Sequence, residues 1–386
     1  MKTSLATAAI VIFVIGTVII GSAKGQSAAS SQTAAAPKTA AQQFKNIQVL
    51  KDVPADQLIP TMQFISASLG VDCEFCHVQD AFDKDDKKPK VTARKMMEMM
   101  FAINKDNFEN HREVTCYSCH RGSTDPVATP PVMSAETEMA AHVHGNAGGN
   151  RGETAETHIV GRPTADDLFE KYLHAAGGSA AIDKVMTRVM KGTISFGDRS
   201  IPIDIYSKAP DQRVSFVHTP DGDSVTAFNG HEGWLAAPKR PVREMHGPDG
   251  DGAAMDADLH FAAHLKQMCY KTELRGVEKI ADHDAYFVNC ERAEKTPLQL
   301  YFDQNSGLLV RLVRYGETAL GQLPTQIDYA DYREVKGVEV PYRWTLARPG
   351  GRFTIQLIEL KQNVPVDDAW FARPPAPSPQ PKAGSK

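Results

Sequence analysis

Four of the six cysteines in this 386-residue chain fall into two copies of one short pattern: Val71–Gln79 reads VDCEFCHVQ and Val114–Gly122 reads VTCYSCHRG. Thiols three residues apart can both reach one side of a flat macrocycle. A histidine directly behind the second thiol then sets its imidazole over a metal at the ring centre. CxxCH is thus the attachment signature of c-type haem. The expectation is two covalently attached haems, one bonded through Cys73 and Cys76 and the other through Cys116 and Cys119, with His77 and His120 as proximal iron ligands.

Two other chemistries use CxxC. A pair of zinc knuckles fits poorly, because the spacing between the motifs exceeds the usual 15–20 residues and zinc does not call for a histidine behind each pair. A thioredoxin-type dithiol expects one motif on a βαβ unit, whereas here there are two on helical hairpins.

Each iron needs a second axial ligand, and methionine serves where a higher potential is wanted. Met62 lies 11 residues before Cys73, on a stretch of helical periodicity that could fold back over its haem. For the second haem, KMMEMM supplies Met96, Met97, Met99 and Met100, of which Met96 and Met100 share a helix face. Most of a methionine stripe at helical spacing packs a core; one thioether is enough for a haem. His111 reads as a surface residue, and His142 and His144 as linker residues.

Helices must position these groups. PADQLIPTMQFISASLG has Pro54 near its start, apolar residues at helical spacing and Gly70 at its end. TARKMMEMMFAINKDNF reads as a second helix, with Thr92 as its cap. Each leads into a CxxCH, so helix and motif form an internal repeat displaced by 43 residues.

The order of methionine helix, CxxCH, methionine helix and CYSCHRG over residues 41–125 resembles half of the cytochrome subunit of photosynthetic reaction centres, a tetrahaem family. The resemblance implies an electron carrier whose sixth ligands are methionines on the helices before the motifs. That carries over to Met62 and, aligning MMEMMFAIN by its IN dipeptide, to Met96, with Met99 or Met100 in reserve. This chain has two motifs where that family has four, which implies a dihaem relative that need not serve a photosystem.

Lys2 precedes an apolar run from about Leu5 to Ile20, followed by small residues at Gly21 and Ala23. This reads as a signal peptide or membrane anchor over 1–23, placing the rest in the periplasm or otherwise outside the cytoplasm, tethered to the inner membrane if the segment stays. A spacer is expected over 24–40, a dihaem cytochrome domain over 41–125, a disordered linker over 126–162, a β domain over 163–375 and a flexible tail over 376–386. The chain is too long for one ordinary core. A net charge of −4 lacks the basic excess that nucleic acid demands.

From Thr164 a capped amphipathic helix, TADDLFEKYLHAAGG, leads into short β-rich runs broken by turns such as DQNSG and VKGVEVP. Alternation predicts a twisted antiparallel sheet. The fold class is thus a small, mainly α multihaem domain followed by an α+β domain. YKTELRGVEKIADHDAYFVNCE, LYFDQNSGLLVRLVRY and NVPVDDAWFA resemble the lipoprotein-carrier (lipoprotein-sorting) fold, which implies a curved half-barrel able to shelter an apolar ligand. Cys269 and Cys290 are disulfide candidates in an exported chain; two buried thiols are the alternative. No nucleophile–base set stands out, and Asp282–His283–Asp284 reads as a hairpin turn.

Three functions follow. The first is electron transfer between redox partners, a membrane complex or a soluble carrier. The second is a carrier of lipid or a quinone-like compound, with the haems as accessory. The third is an enzyme acting on a substrate held by the sheet. Filled axial positions leave an iron no site for substrate, so no catalytic residue is assigned.

Overall fold

The computed structural model describes residues 38–126, 163–349 and 351–374. The leader over 1–23, the spacer as far as residue 37, the linker from 127 with His142 and His144, and the tail after 374 lie outside the described residues.

The first part is helical: α1 (Ala40–Gln43), α2 (Leu58–Leu69), α3 (Cys73–Cys76), α4 (Lys88–Asn107) and α5 (Cys116–His120). A 3-10 turn over Ala55–Gln57, with Pro54 before it, feeds α2, which ends at Gly70 in the left-handed region with φ 68°. That conformation suits glycine. α4 starts one turn earlier than its periodicity suggests. Pro89, whose ring fixes φ and whose missing N–H costs nothing in a first turn, begins it; Thr92 therefore lies inside the helix and caps nothing. Leu58, Phe64, Ile65, Met97 and Met100 form the core of this part.

The second part begins with α6 (Ala165–Ala175), capped by Thr164, whose hydroxyl accepts from Asp167 N at 3.1 Å, and then α7 (Ser179–Ile182). Thirteen strands follow: β1 (Thr187–Phe196), β2 (Arg199–Lys208), β3 (Gln212–Thr219), β4 (Gly222–Asn229), β5 (Gly233–Ala236), β6 (Arg243–Met245), β7 (Lys271–Ile280), β8 (His283–Arg292), β9 (Lys295–Asp303), β10 (Leu309–Glu317), β11 (Gln322–Val335), β12 (Val338–Arg348) and β13 (Gly351–Gln362). They make one open antiparallel sheet in the order β6-β5-β4-β3-β2-β1-β13-β12-β11-β10-β9-β8-β7. Leu168, Phe169 and Tyr172 of α6 pack on Leu298, Leu300 and Phe302 of β9 and on Leu309 and Leu312 of β10.

Two helices between β6 and β7 have no counterpart in the sequence reading: α8 (Gly247–Ala257) and α9 (Phe261–Met268). Three glycines lower the intrinsic helix propensity of α8, and tertiary bonds hold it. Arg292 grips Asp251 at 2.5 and 2.9 Å, and Arg314 grips Asp256 at 2.7 and 2.8 Å. The edge strand β7 is rich in Lys and Glu, which blunts pairing with another sheet. Cys269, just past α9, is disulfide-bonded to Cys290 of β8, with Cα atoms 5.3 Å apart.

The β10–β11 turn touches the helical part. Leu320 is fully buried among Phe64, Ile65 and Met100, and a Cβ on Gly321 would lie 2.3 Å from the Phe64 ring. Arg112 donates to Thr318 O at 2.8 Å and pairs with Glu317 at 2.5 Å.

Candidate cofactor site

Each CxxCH folds as one helical turn, so its two cysteines lie on the same side. Asp72 caps α3, its carboxylate accepting from Phe75 N at 3.1 Å, and Ser118 Oγ accepts from Thr115 N at 3.0 Å at the start of α5. All four thiols are free and at least partly exposed. Burial pushes the Cys76 and Cys116 thiols up from their ordinary values.

Both histidines are anchored in the same way. His77 Nδ1 bonds to Phe82 O at 3.0 Å, and His120 Nδ1 to Ser123 O at 2.9 Å. A carbonyl oxygen only accepts, so each ring carries its proton on Nδ1 and leaves the Nε2 lone pair for a metal. Burial lowers the His77 pKa, opposed by the bond to the Phe82 carbonyl and helped by the positive charges of Lys90, Arg94 and Lys87. The loop carrying Phe82 is tied back to α4: Lys90 donates to Phe82 O at 2.8 Å and Lys84 O at 2.7 Å, while Arg94 holds Asp85 at 2.9 and 3.0 Å.

Each motif opens onto a cavity. The first, about 530 Å³, brings Met62, Ile65, Cys73, Cys76, His77 and Met97 together. The second, about 300 Å³, brings Cys116, Cys119 and His120 together with Met96, Met97, Met99 and Met100. Ile65, Cys76, Ala93 and Met97 line both, so the two cavities share a wall. Met97 and Met100 are buried in the core, whereas Met96 and Met99 are 41% and 48% exposed. Among the described residues, large exposed apolar side chains crowd this part: Ile59, Phe75, Phe82, Phe101 and Tyr117 join those two methionines. Apolar surface in this quantity around two thiol pairs and two Nε2 donors fits a covalently held macrocycle.

Several positioning residues escape the motif reading. Asn104 is 5% exposed; its side chain donates to Val114 O at 2.7 Å and accepts from Glu113 N and Val114 N at 3.1 and 2.9 Å, fixing the entry to the second CxxCH. A polar residue in register with Met97 and Met100 on an apolar face was the available signal. His283 bonds the buried carboxylate of Asp303 at 2.9 Å, so this member of the Asp282–His283–Asp284 turn has a structural partner. No cluster of three or more His, Cys, Asp or Glu side chains suited to a metal occurs among the described residues.

Residues 17–199 match the family described as photosynthetic reaction centre cytochrome C subunit. The photosynthetic reaction center cytochrome c subunit of Thermochromatium tepidum is 43% identical over 56 residues, which is 14% of this chain and 14% of that relative's own length. Among solved structures, a DUF1329 family protein from Desulfovibrio piger is similar with a TM-score of 0.39 and 15% identity, over 55% of this chain and 98% of that one. A LolA superfamily protein from Nitrosomonas europaea matches with a TM-score of 0.37 and 15% identity, over 55% and 99%. A putative outer membrane lipoprotein-sorting protein domain from Vibrio parahaemolyticus matches with a TM-score of 0.37 and 13% identity, over 53% and 97%. The resemblance to the reaction-centre cytochrome subunit noted in the sequence returns in the family match. The family match supports a cytochrome-like role, and the cytochrome c family implies covalently bound haem c.

Proposed function

We propose that this chain is a dihaem c-type cytochrome working outside the cytoplasm, passing single electrons between redox partners. The observation that carries the reading is the paired arrangement: twice over, two free thiols, an imidazole with Nε2 available and methionine thioethers line one cavity. Cys73 and Cys76 would hold one haem with His77 and Met62 on its iron. Cys116 and Cys119 would hold the other with His120 and Met96, and Met99 or Met100 in reserve. When bound, haem c supplies a one-electron iron couple. The chain's own part is to fix each ring by two thioethers, to orient the imidazole through its Nδ1–H bond, and to keep water off the ring with apolar walls, which favours the less charged reduced state. With His77 and Met62, and His120 and Met96, as iron ligands, neither haem would offer a substrate site, which supports electron transfer over an enzymatic role. The helical part over 41–125 and the sheet over 163–375 act as two domains.

Partners of the first role are a membrane electron-transfer complex or a soluble carrier. Among the described residues no helix is long and apolar enough to cross a membrane; the proposed tether is the apolar leader over 1–23, on the strength of its sequence. The test is the mass of the intact protein matured in a host that assembles cytochromes c. Two haem additions that survive acid–acetone are expected; colour that is stripped away overturns the reading.

A second reading has one observation in its favour. A cavity of about 210 Å³ lies between the sheet and its helices, bordered by Tyr172, Met255, Phe261 and Leu312. In this reading the sheet is a half-barrel that carries a lipid or quinone-like molecule, detectable by solvent extraction and mass spectrometry of the purified chain.

A further inference from the structure

Strand register places two arginines in one row across the cavity floor. Arg213 of β3 faces Ser207 of β2, Ser207 faces Arg188 of β1, and Arg188 faces Gln362 of β13. Two strand spacings put the arginine backbones about 10 Å apart, with the small, buried Ser207 between them. Both arginines line the 210 Å³ cavity.

Their charges are poorly matched. Arg188 Nε is buried with no partner among the described residues. With the Gln362 amide oriented so that its nitrogen donates to Val335 O at 3.2 Å, its oxygen accepts from Arg188 Nη2 at 3.3 Å, but that oxygen is uncharged. Asp256 is gripped by Arg314, and its charge is shared with Arg213 and with Arg348, which also feels Asp249. Asp258 is engaged with His264 at 2.9 Å. Val338 and Val340 are buried on β12, and the half-buried Glu339 between them borders the cavity on its β12 side, away from the β1–β3 row that carries the two arginines. Burial, with Arg213 beside it, pulls Arg188 down to about 10, still charged at neutral pH. Two desolvated cations facing one pocket are unfavourable until an anion joins them.

We propose that this cavity binds a small amphiphilic carboxylate, its head over Ser207 between Arg188 and Arg213 and its alkyl tail among Met255, Leu312, Ile327 and Trp344. The proposal rests on the carrier reading of the cavity and names its cargo.

The test is isothermal titration of octanoate, octanol and inorganic phosphate into the haem-loaded full chain, with thermal melts alongside. Octanoate should saturate one site, and octanol and phosphate should each bind about tenfold or more weakly, because a forked charge-assisted contact and an apolar tail are both needed. Arg188→Gln and Arg213→Gln should each weaken octanoate about tenfold, while the melting temperature without ligand holds or rises as like charges separate. Octanol binding as well as octanoate overturns the carboxylate assignment and leaves the carrier reading standing. Saturable binding by neither overturns both. Phosphate matching octanoate overturns the amphiphile, and unchanged octanoate affinity in the two variants overturns the arginine pair. Should a variant not fold, octanoate against octanol on the unaltered chain decides.

Discussion

Gly70 and Gly122 meet backbone to backbone. A Cβ on Gly70 would stand 2.2 Å from the Gly122 carbonyl oxygen, and Gly122 N donates to Ser68 O at 2.9 Å. The end of the Met62 helix is thereby fastened to the end of the second CxxCH. Gly70→Ala meets both this contact and a left-handed φ of 68°. It should cost about 2–4 kcal/mol in urea unfolding followed through the haem absorbance. A loss under about 0.5 kcal/mol, the range of an ordinary surface change, would show that the contact yields freely.

Met62 and Met96 test the axial assignment. Met62→Ala should lower the potential of one haem, on the order of 100 mV within the roughly 0.8 V that axial ligands span, and open that iron to carbon monoxide. Redox titration and a carbon monoxide difference spectrum read both effects. Met96→Ala should do the same at the other haem. A spectrum unchanged in that variant hands the ligand to Met99 or Met100.

Asn104 satisfies one carbonyl and two N–H groups of the segment before Cys116. Asn104→Ala leaves three backbone groups without partners in a largely buried place. A destabilisation of about 2–3 kcal/mol is expected, together with faster hydrogen exchange at the Val114 amide, which loses its acceptor. Asn104→Asp should rescue the two N–H bonds and not the carbonyl, giving an intermediate loss.

Asp85 sets a pH dependence. Hydrogen bonds from Arg94 first, then Asn46 and Lys90, hold its carboxyl well below the usual carboxylate range. A folded pKa below the unfolded one gives stability that is complete above about pH 4 and fades as pH falls through the folded value. Acid should therefore loosen the 80–87 loop, and with it the Phe82 carbonyl that holds His77. Asp85→Asn should lose this acid sensitivity, as followed by the Soret band between pH 6 and pH 2. Equal sensitivity in the variant would assign the effect elsewhere.

The CxxCH motifs were legible because covalent haem attachment would fix residue types at fixed spacing: Cys73, Cys76 and His77 need no tertiary knowledge to be picked out as candidates. Thr164 and Gly70 were equally readable, since a cap and a left-handed stop are local requirements. Pro89 overrode Thr92 for a local reason too, one that the apolar pattern of the helix obscured. What stayed hidden is non-local. α8 exists through Asp251 and Asp256 meeting arginines 41 and 58 residues away, and β6 is three residues long. The Arg188–Ser207–Arg213 row is invisible without register, and the seat of Leu320 beside Phe64 joins residues more than 250 positions apart.

That seat bears on how the halves can be divided. Cutting the gene near the linker to obtain a minimal cytochrome would strip Leu320 from α2 and bare the Phe64 groove to water. Such a fragment should clump or recruit a foreign hydrophobe, so a truncated product that precipitates would reflect a missing lid and not failed haem insertion.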